Sequence, residues 1–206
     1  MNPITLAKLS KADRTLAKII RKSGPMRFKP EMRRPYEALI EAIVYQQLNG
    51  TAAATILGRV KALYPEKKFP KPEDLVKTPD ELLRSAGLSR AKTLAVKDVA
   101  ARTIDGTVPP LRVVAKLSDA AIIERLIEIR GVGQWTVEML LIFNLGRPDV
   151  LPAADYGVRK GFALAYGWDD LPSPKELLEY GERWKPYRTT AAWYMWRAVE
   201  LYGGRK

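Results

Sequence analysis

The stretch LIEIRGVGQWTVEMLL, residues 126–141, places Gly131 and Gly133 inside a run whose apolar spacing is otherwise helical. Glycine lets the chain turn sharply. Because it has no Cβ, backbone N–H groups can approach a ligand at the positive end of the helix that begins near Gln134. The pattern therefore predicts a helix, a tight turn and a second helix. The turn suits a phosphate ligand, although an ordinary helix–helix turn also uses glycine.

Helical patterns extend over nearly the whole chain, and strand patterns are scarce. Residues 34–50, RPYEALIEAIVYQQLNG, predict an apolar helix ending at Asn49 and Gly50, after which residues 50–65 resume a helix. Residues 65–72, PEKKFPKP, predict a basic, proline-rich surface loop. Ser173 and Glu176 form the pattern of a helix capping box. We expect an all-α fold, with one domain over residues 1–206 that is compact or divided into two helical lobes sharing a cleft.

Composition limits the chemistry. The 206 residues carry a net charge of +12 and include neither histidine nor cysteine, which excludes disulfides, thiol nucleophiles, iron–sulfur clusters and Cys/His zinc sites. The positive charge predicts a polyanionic partner, nucleic acid first, and the apolar runs are far short of the roughly 20 residues that span a bilayer. The N-terminus shows no signal-peptide pattern, so we expect a cytoplasmic protein, associated with the nucleoid through DNA and not with membranes.

Residues 131–162, GVGQWTVEMLLIFNLGRPDVLPAADYGVRKGF, resemble the helix-hairpin-helix and Gly/Pro-loop-Asp signature of the HhH-GPD superfamily of DNA glycosylases. Within that family, YQQLNGTAAATI, GQWT and ERWKPYRTTAAWYMW resemble the 3-methyladenine DNA glycosylase II branch, in a compact version. The resemblance implies two helical lobes around a DNA-binding cleft. It also implies a monomer that acts on double-stranded DNA containing damaged bases.

The resemblance implies that Asp155, in LPAADYGVRK, is the catalytic carboxylate. Cleavage of an N-glycosidic bond gathers positive charge on the deoxyribose, which a fixed negative charge stabilises, and the same group can orient or deprotonate the attacking water. Two alternatives stay open. Asp149 lies nearby, and Asp155 has the position of a simple helix N-cap.

Trp135 distinguishes two reaction types. Superfamily members that also cut the strand carry a lysine at this position, whose amine forms a Schiff base with the sugar. Tryptophan here implies a monofunctional hydrolase that uses water and leaves an abasic site. A lysine elsewhere in the chain, acting as the amine of a bifunctional glycosylase/lyase, is the alternative. A non-catalytic DNA-binding protein that uses the hairpin only as a grip is another.

The resemblance also assigns binding roles to several residues. The alternative is core packing for the apolar residues and a solvated surface position for the basic ones. A flipped base needs aromatic faces, and the gap in the duplex needs an apolar wedge. The expected base pocket is Trp135, Trp196, Tyr45 and Met139, and the expected intercalating group is Leu48 with Gln47 and Asn49. The expected phosphate contacts are Gly131, Val132, Gly133, Arg159, Lys160 and Arg188.

The resemblance requires no cofactor, but it allows a structural Na⁺ or K⁺ ion at the hairpin. The carbonyl groups that correspond to its ligands are those of Ile127, Ile129 and Val132. The preferred lesion among alkylated, etheno and deaminated bases depends on pocket shape, which one sequence does not specify.

Overall fold

The computed structural model describes residues 3–204, and all regular structure in that range is helical, which confirms the predicted all-α class. Contacts group the chain into two helical units. Unit 1 comprises residues 1–30 and 141–206, and unit 2 comprises residues 31–140. Within the described range, no helix is both long enough and apolar enough to cross a membrane. The predicted DNA-binding cleft stays a prediction.

The helices follow one another through short connections. Between residues 3 and 204 they are α1 (Pro3–Ala12), α2 (Arg14–Ser23), α3 (Pro35–Tyr45), α4 (Gly50–Ala62), α5 (Pro72–Lys77), α6 (Asp80–Ser85), α7 (Arg90–Ile104), α8 (Leu111–Val114), α9 (Asp119–Leu126), α10 (Gln134–Met139), α11 (Tyr156–Tyr166), α12 (Pro174–Gly181) and α13 (Arg188–Tyr202). A π-helical turn (Leu140–Asn144) follows α10, and a 3₁₀ turn (Glu182–Trp184) follows α12. The predicted capping box is confirmed, with Ser173 at the N-cap of α12.

The core of unit 1 is built on the packing of α11 against α13. The two helices approach closely at Gly161, where an added Cβ would lie 1.8 Å from the Met195 carbonyl oxygen. Phe162, Tyr194 and Trp184 are among the largest fully buried side chains. Glycine therefore sets the distance between the helix that follows Asp155 and the helix that carries Trp196.

A buried carboxylate also organises unit 1. Asp13 caps α2 through a hydrogen bond from the Leu16 N–H to Oδ1 (2.9 Å), and its Oδ2 accepts from the Tyr166 hydroxyl (2.6 Å) and from Trp184 Nε1 (2.9 Å). Burial, together with the hydrogen bond to Asp13, raises the pKa of Tyr166 well above its usual value. The carboxylate is thus satisfied by groups from distant parts of the sequence, as a buried charge requires.

Unit 2 is arranged around α7, which packs against α3, α5 and α6. The connection from α3 to α4 differs from the sequence prediction. The predicted helix boundary at Asn49 and Gly50 is wrong, because α3 already ends at Tyr45 and Gln47 adopts a left-handed φ of 56°. Asn49 is instead the N-cap of α4 and accepts from the Ala52 N–H at 2.9 Å. Residues 46–49 form a separate connector, in which Gln46 is half-buried and the other three residues are exposed.

Candidate active site and DNA-binding hairpin

Asp155 lies in unit 1 at the N-terminus of α11, where its side chain is half-buried. Its Oδ1 accepts two hydrogen bonds of 2.8 Å, from the Val158 N–H and from Trp196 Nε1. The first is an N-cap bond, and the second ties the carboxylate to α13. An N-cap role and a catalytic role were alternatives for Asp155 in the sequence. The geometry makes them compatible, since the bonds that cap α11 also fix the orientation of the carboxylate.

Gly157 provides the space for this contact. An added Cβ there would lie 2.9 Å from Trp196 Cδ1 and 3.2 Å from Asp155 Oδ1. A larger residue in the first turn of α11 would push the indole away from the carboxylate. Gly157 was not predicted as a site residue, although its position two residues after the candidate aspartate is visible in the sequence.

Aromatic rings hold the Trp196 indole in place. Phe143, in the π-helical turn, stacks on it with ring centroids 5.6 Å apart and an interplanar angle of 25°, and Phe28 meets the edge of Phe143 at 5.5 Å. π-Helical turns often occur at functional sites, where they change the direction of a side chain. Neither phenylalanine was predicted. A regular helical period gives no sign of the π turn that carries Phe143, and Phe28 lies in the irregular connection between α2 and α3. Trp196 therefore contacts Asp155 and Phe143 directly, and its role in a base pocket stays a prediction.

Asp149, the competing carboxylate, is held by an ion pair. Its two oxygens accept from Arg188 Nε at 2.9 Å and from Arg188 Nη2 at 3.0 Å. Arg188 also lies near Glu182, at 3.7 Å, and only 19% of its side chain is exposed. A guanidinium in this fork geometry neutralises the carboxylate, so Asp149 has a structural partner in Arg188. The phosphate contact of Arg188 stays a prediction. The guanidinium that would bind the phosphate already has Asp149 and Glu182 as acidic partners.

The glycine hairpin lies in unit 2, between α9 and α10, and has the predicted form. Gly131 takes a left-handed φ of 76°, and an added Cβ would lie 2.9 Å from the Ala95 Cβ, so this position requires glycine for both reasons. Gly133 is the N-cap of α10 and has open space where a Cβ would project. Both glycines are exposed and Val132 is buried. The turn therefore rests on the Val132 side chain and presents glycine backbone to solvent.

The connector and the hairpin are joined by side chains that were not predicted from the sequence. Gln46 Nε2 donates to the Gly131 carbonyl at 3.0 Å, and Lys92 Nζ donates to the carbonyls of Val44 and Gln46 at 2.8 and 2.7 Å. Burial lowers the pKa of Lys92. The Arg130 N–H donates to Asp98 at 2.8 Å. These long-range bonds give the hairpin and the connector one fixed arrangement within unit 2.

The predicted wedge and two of the predicted pocket residues are exposed in unit 2. The exposed fractions are 40% for Leu48, 45% for Trp135 and 37% for Tyr45. Gln47 and Asn49, beside Leu48, are also exposed, whereas Met139 is half-buried. Core packing was the alternative for Leu48 and Trp135, and it does not describe side chains with these exposed fractions.

The other predicted binding groups have local partners. Arg159 Nε donates to the Pro172 carbonyl at 2.6 Å, and Lys160 Nζ lies 5.8 Å from the centre of the Tyr156 ring. At the hairpin, the Ile129 carbonyl accepts from the Val132 N–H at 3.0 Å. Phosphate binding by the two basic residues, and a monovalent ion on the carbonyls of residues 127, 129 and 132, stay predictions.

Residues 40–186 match the HhH-GPD superfamily of base excision DNA repair proteins, which is most of the chain. The protein belongs to this superfamily.

Individual relatives match over nearly the whole chain. The DNA-3-methyladenine glycosylase 1 of Schizosaccharomyces pombe is 38% identical over 96% of this chain and 86% of its own length. The structure of the S. pombe 3-methyladenine DNA glycosylase Mag1 in complex with abasic DNA has a TM-score of 0.88, with 37% identity, and covers 98% of this chain and 99% of that one. A Bacillus halodurans DNA-3-methyladenine glycosidase gives 0.86, with 34% identity over 96% of this chain and 89% of that one.

Proposed function

We propose that this protein is a monofunctional DNA glycosylase of base excision repair. It releases alkylated purines, 3-methyladenine and 7-methylguanine among them, from double-stranded DNA and leaves an abasic site. The observation that carries the proposal is the carboxylate of Asp155, which two hydrogen bonds hold at a helix N-terminus, in a chain that belongs to the HhH-GPD superfamily.

Asp155 supplies the negative charge of the reaction. As the bond between the sugar and the base breaks, its electron pair leaves with the base and positive charge develops on the deoxyribose. A carboxylate that is already oriented stabilises this charge without reorganisation, and it can accept a proton from the water that attacks C1′. An alkylated purine that is already cationic leaves readily, so the lack of histidine is compatible with the reaction.

The side chain at position 135 supports water as the nucleophile. An indole cannot form a Schiff base, and Trp135 is exposed on the helix that follows the hairpin. The proposed product is therefore an abasic site in an intact strand. In this proposal Trp135 contacts the flipped base, because a π face attracts an electron-poor, cationic purine.

The remaining roles follow from the same proposal. Leu48 fills the gap in the duplex, flanked by Gln47 and Asn49, while Tyr45, Met139 and Trp196 border the extruded base. The hairpin N–H groups bind one DNA phosphate without reading sequence, and Arg159, Lys160 and Arg188 add phosphate contacts. A monomer acting at the nucleoid, with no required cofactor and with an optional Na⁺ or K⁺ at the hairpin, completes the proposal.

The test is release of free bases from duplex DNA treated with a methylating agent, measured by chromatography, with the integrity of the strand followed on a gel. We expect methylpurines to appear while the strand stays intact until alkali is added. Borohydride present during the reaction should trap no covalent adduct. An adduct would identify a lyase, and salt-dependent DNA binding with no base release would identify a non-catalytic DNA-binding protein.

A further inference from the structure

A cavity of about 330 Å³ lies in unit 2, away from every residue assigned above. Its walls are mainly proline rings together with Tyr36, Phe69, Val108 and Leu111. The prolines are Pro35, Pro70, Pro72, Pro109 and Pro110. We call it the proline-walled cavity. Such rigid, apolar walls favour an apolar group as the occupant.

Arg34, Glu37 and Lys71 also line the cavity, and the two hydroxyl groups in its lining are already engaged. The Tyr36 hydroxyl donates to the Pro70 carbonyl at 3.1 Å, and the Thr103 hydroxyl donates to the Val99 carbonyl at 2.7 Å. A nucleobase in this cavity would place hydrogen-bonding edges against proline rings and against hydroxyls whose protons are used, which costs free energy. A bulky aliphatic or aromatic side chain meets no such cost.

A second cavity of about 610 Å³ adjoins the first, and the two share Arg34, Glu37, Phe69 and Lys71. Its lining is strongly basic and comprises Arg33, Arg34, Lys61, Lys67, Lys68 and Lys71 with a single acidic residue, Glu37. Arg33, Arg34 and Lys67 form ion pairs with acidic side chains. Lys61, Lys68 and Lys71 form none within residues 3–204, so a net positive charge faces this cavity.

This surface lies at the other end of two helices from the DNA-binding hairpin. Helix α3 begins at the proline-walled cavity and ends at the connector, about 15 Å further along at 1.5 Å per residue. Helix α7 passes Gly131 at Ala95 and reaches the cavity at Thr103, about 12 Å further along. A partner bound at the cavity would therefore sit apart from the hairpin within the same unit.

We propose that this surface docks an acidic polypeptide segment, with one bulky apolar side chain in the proline-walled cavity and flanking carboxylates on Lys61, Lys68 and Lys71. A second copy of this chain is a poor occupant because each copy carries a charge of +12. The phosphates of duplex DNA complement the charge of the lysines. However, DNA presents no protruding apolar group, so it would leave the proline-walled cavity unfilled. An acidic partner with an apolar anchor matches both features.

The probe is a fluorescein-labelled peptide of about twelve residues, rich in Asp and Glu, with one central Phe, and its control carries Ser in place of Phe. The protein variant is Lys68→Glu combined with Lys71→Glu, both exposed positions outside the catalytic and DNA-binding groups. The matched control is Lys116→Glu combined with Lys175→Glu, also exposed, which changes the net charge equally elsewhere. Fluorescence anisotropy at physiological salt gives the affinities.

We expect saturable binding of the Phe peptide, weakened about tenfold or more by Lys68→Glu/Lys71→Glu and left nearly unchanged by the control pair. The Ser peptide should bind about tenfold more weakly to the native protein. All proteins should release methylpurines at the native rate, which separates this proposal from the proposed glycosylase activity. The proposal is overturned by no saturable binding, by equal effects of the two variant pairs, or by equal affinity for the Phe and Ser peptides. Loss of affinity for undamaged duplex DNA in the Lys68/Lys71 variant alone would assign the surface to DNA instead.

Discussion

Replacing Asp155 with Asn should separate its structural role from its chemical role. In the native protein Oδ1 accepts from the Val158 N–H and from Trp196 Nε1. Asparagine keeps an oxygen that can accept both bonds and is as good an N-cap as aspartate, so only the interaction of the negative charge with the helix dipole is lost, about 0.3–1 kcal/mol. Alanine removes the cap, about 1 kcal/mol, and leaves the indole N–H without this acceptor, about 1 kcal/mol more.

The rate of base release should depend on the negative charge at position 155 and not on the stability of the variant. Removing one preorganised electrostatic contact from an active site typically lowers the rate by about 100-fold to 1,000-fold. We expect a loss of at least that size in both Asp155→Asn and Asp155→Ala. The assay is single-turnover release of methylpurines from alkylated duplex DNA, with urea unfolding measured in parallel and binding to an abasic duplex as the control for folding.

Two results would refute this reasoning. Native activity in Asp155→Asn would show that the carboxylate charge is not used. A loss of stability in Asp155→Asn as large as that in Asp155→Ala would show that the asparagine oxygen does not replace Oδ1 at the two donors.

Three further perturbations test separate parts of the structure. Trp196→Phe removes the N–H that holds Asp155, so we expect base release to slow about tenfold, or about 1.4 kcal/mol, with unchanged affinity for an abasic duplex; an unchanged rate would exclude a positioning role. Gly131→Ala should lower the free energy of unfolding by about 1–3 kcal/mol in urea, because φ is 76° there, whereas Gly133→Ala should change it by no more than about 0.5 kcal/mol; equal losses would contradict the hairpin geometry. The raised pKa of Tyr166 means that the unfolded chain loses this proton first, so stability should fall as the pH rises above about 10, and Tyr166→Phe should reduce that slope. A slope identical to that of the native protein would contradict this assignment.

The sequence predicted the fold class well because the signals it needed are local. Amphipathic periods, glycine stops and the Ser173 cap depend on neighbouring residues, and the structure confirms the helices and the capping box. The boundary after α3 was wrong because Gln47, a residue that rarely adopts a left-handed conformation, does so here. Gln46, the first residue of the connector, donates to the Gly131 carbonyl and accepts from Lys92, and both partners lie far along the chain.

The same contrast between local signals and long-range contacts applies to the candidate site. Residue types and the family resemblance placed Asp155 and Trp196 in one site, but their direct hydrogen bond could not be read from two positions so far apart in the sequence. The same holds for Phe28 and Phe143, which support the indole. Asp149 and Asp155 were both candidates by proximity. The structure shows that Asp149 pairs with Arg188 and that Asp155 accepts from Trp196, and neither contact is visible in the sequence.

The sequence by itself determined the helical class, the positive charge, the glycine turn and the limited set of groups available for chemistry, because each depends on composition or on residues within a few positions of one another. Only the tertiary structure decided which oxygen the indole binds, that Asp149 pairs with Arg188, and which lysines face a cavity. Those outcomes depend on distances between helices. Gly157 and Gly161 allow short distances because they carry no Cβ, and the order of residues does not show which groups then come into contact.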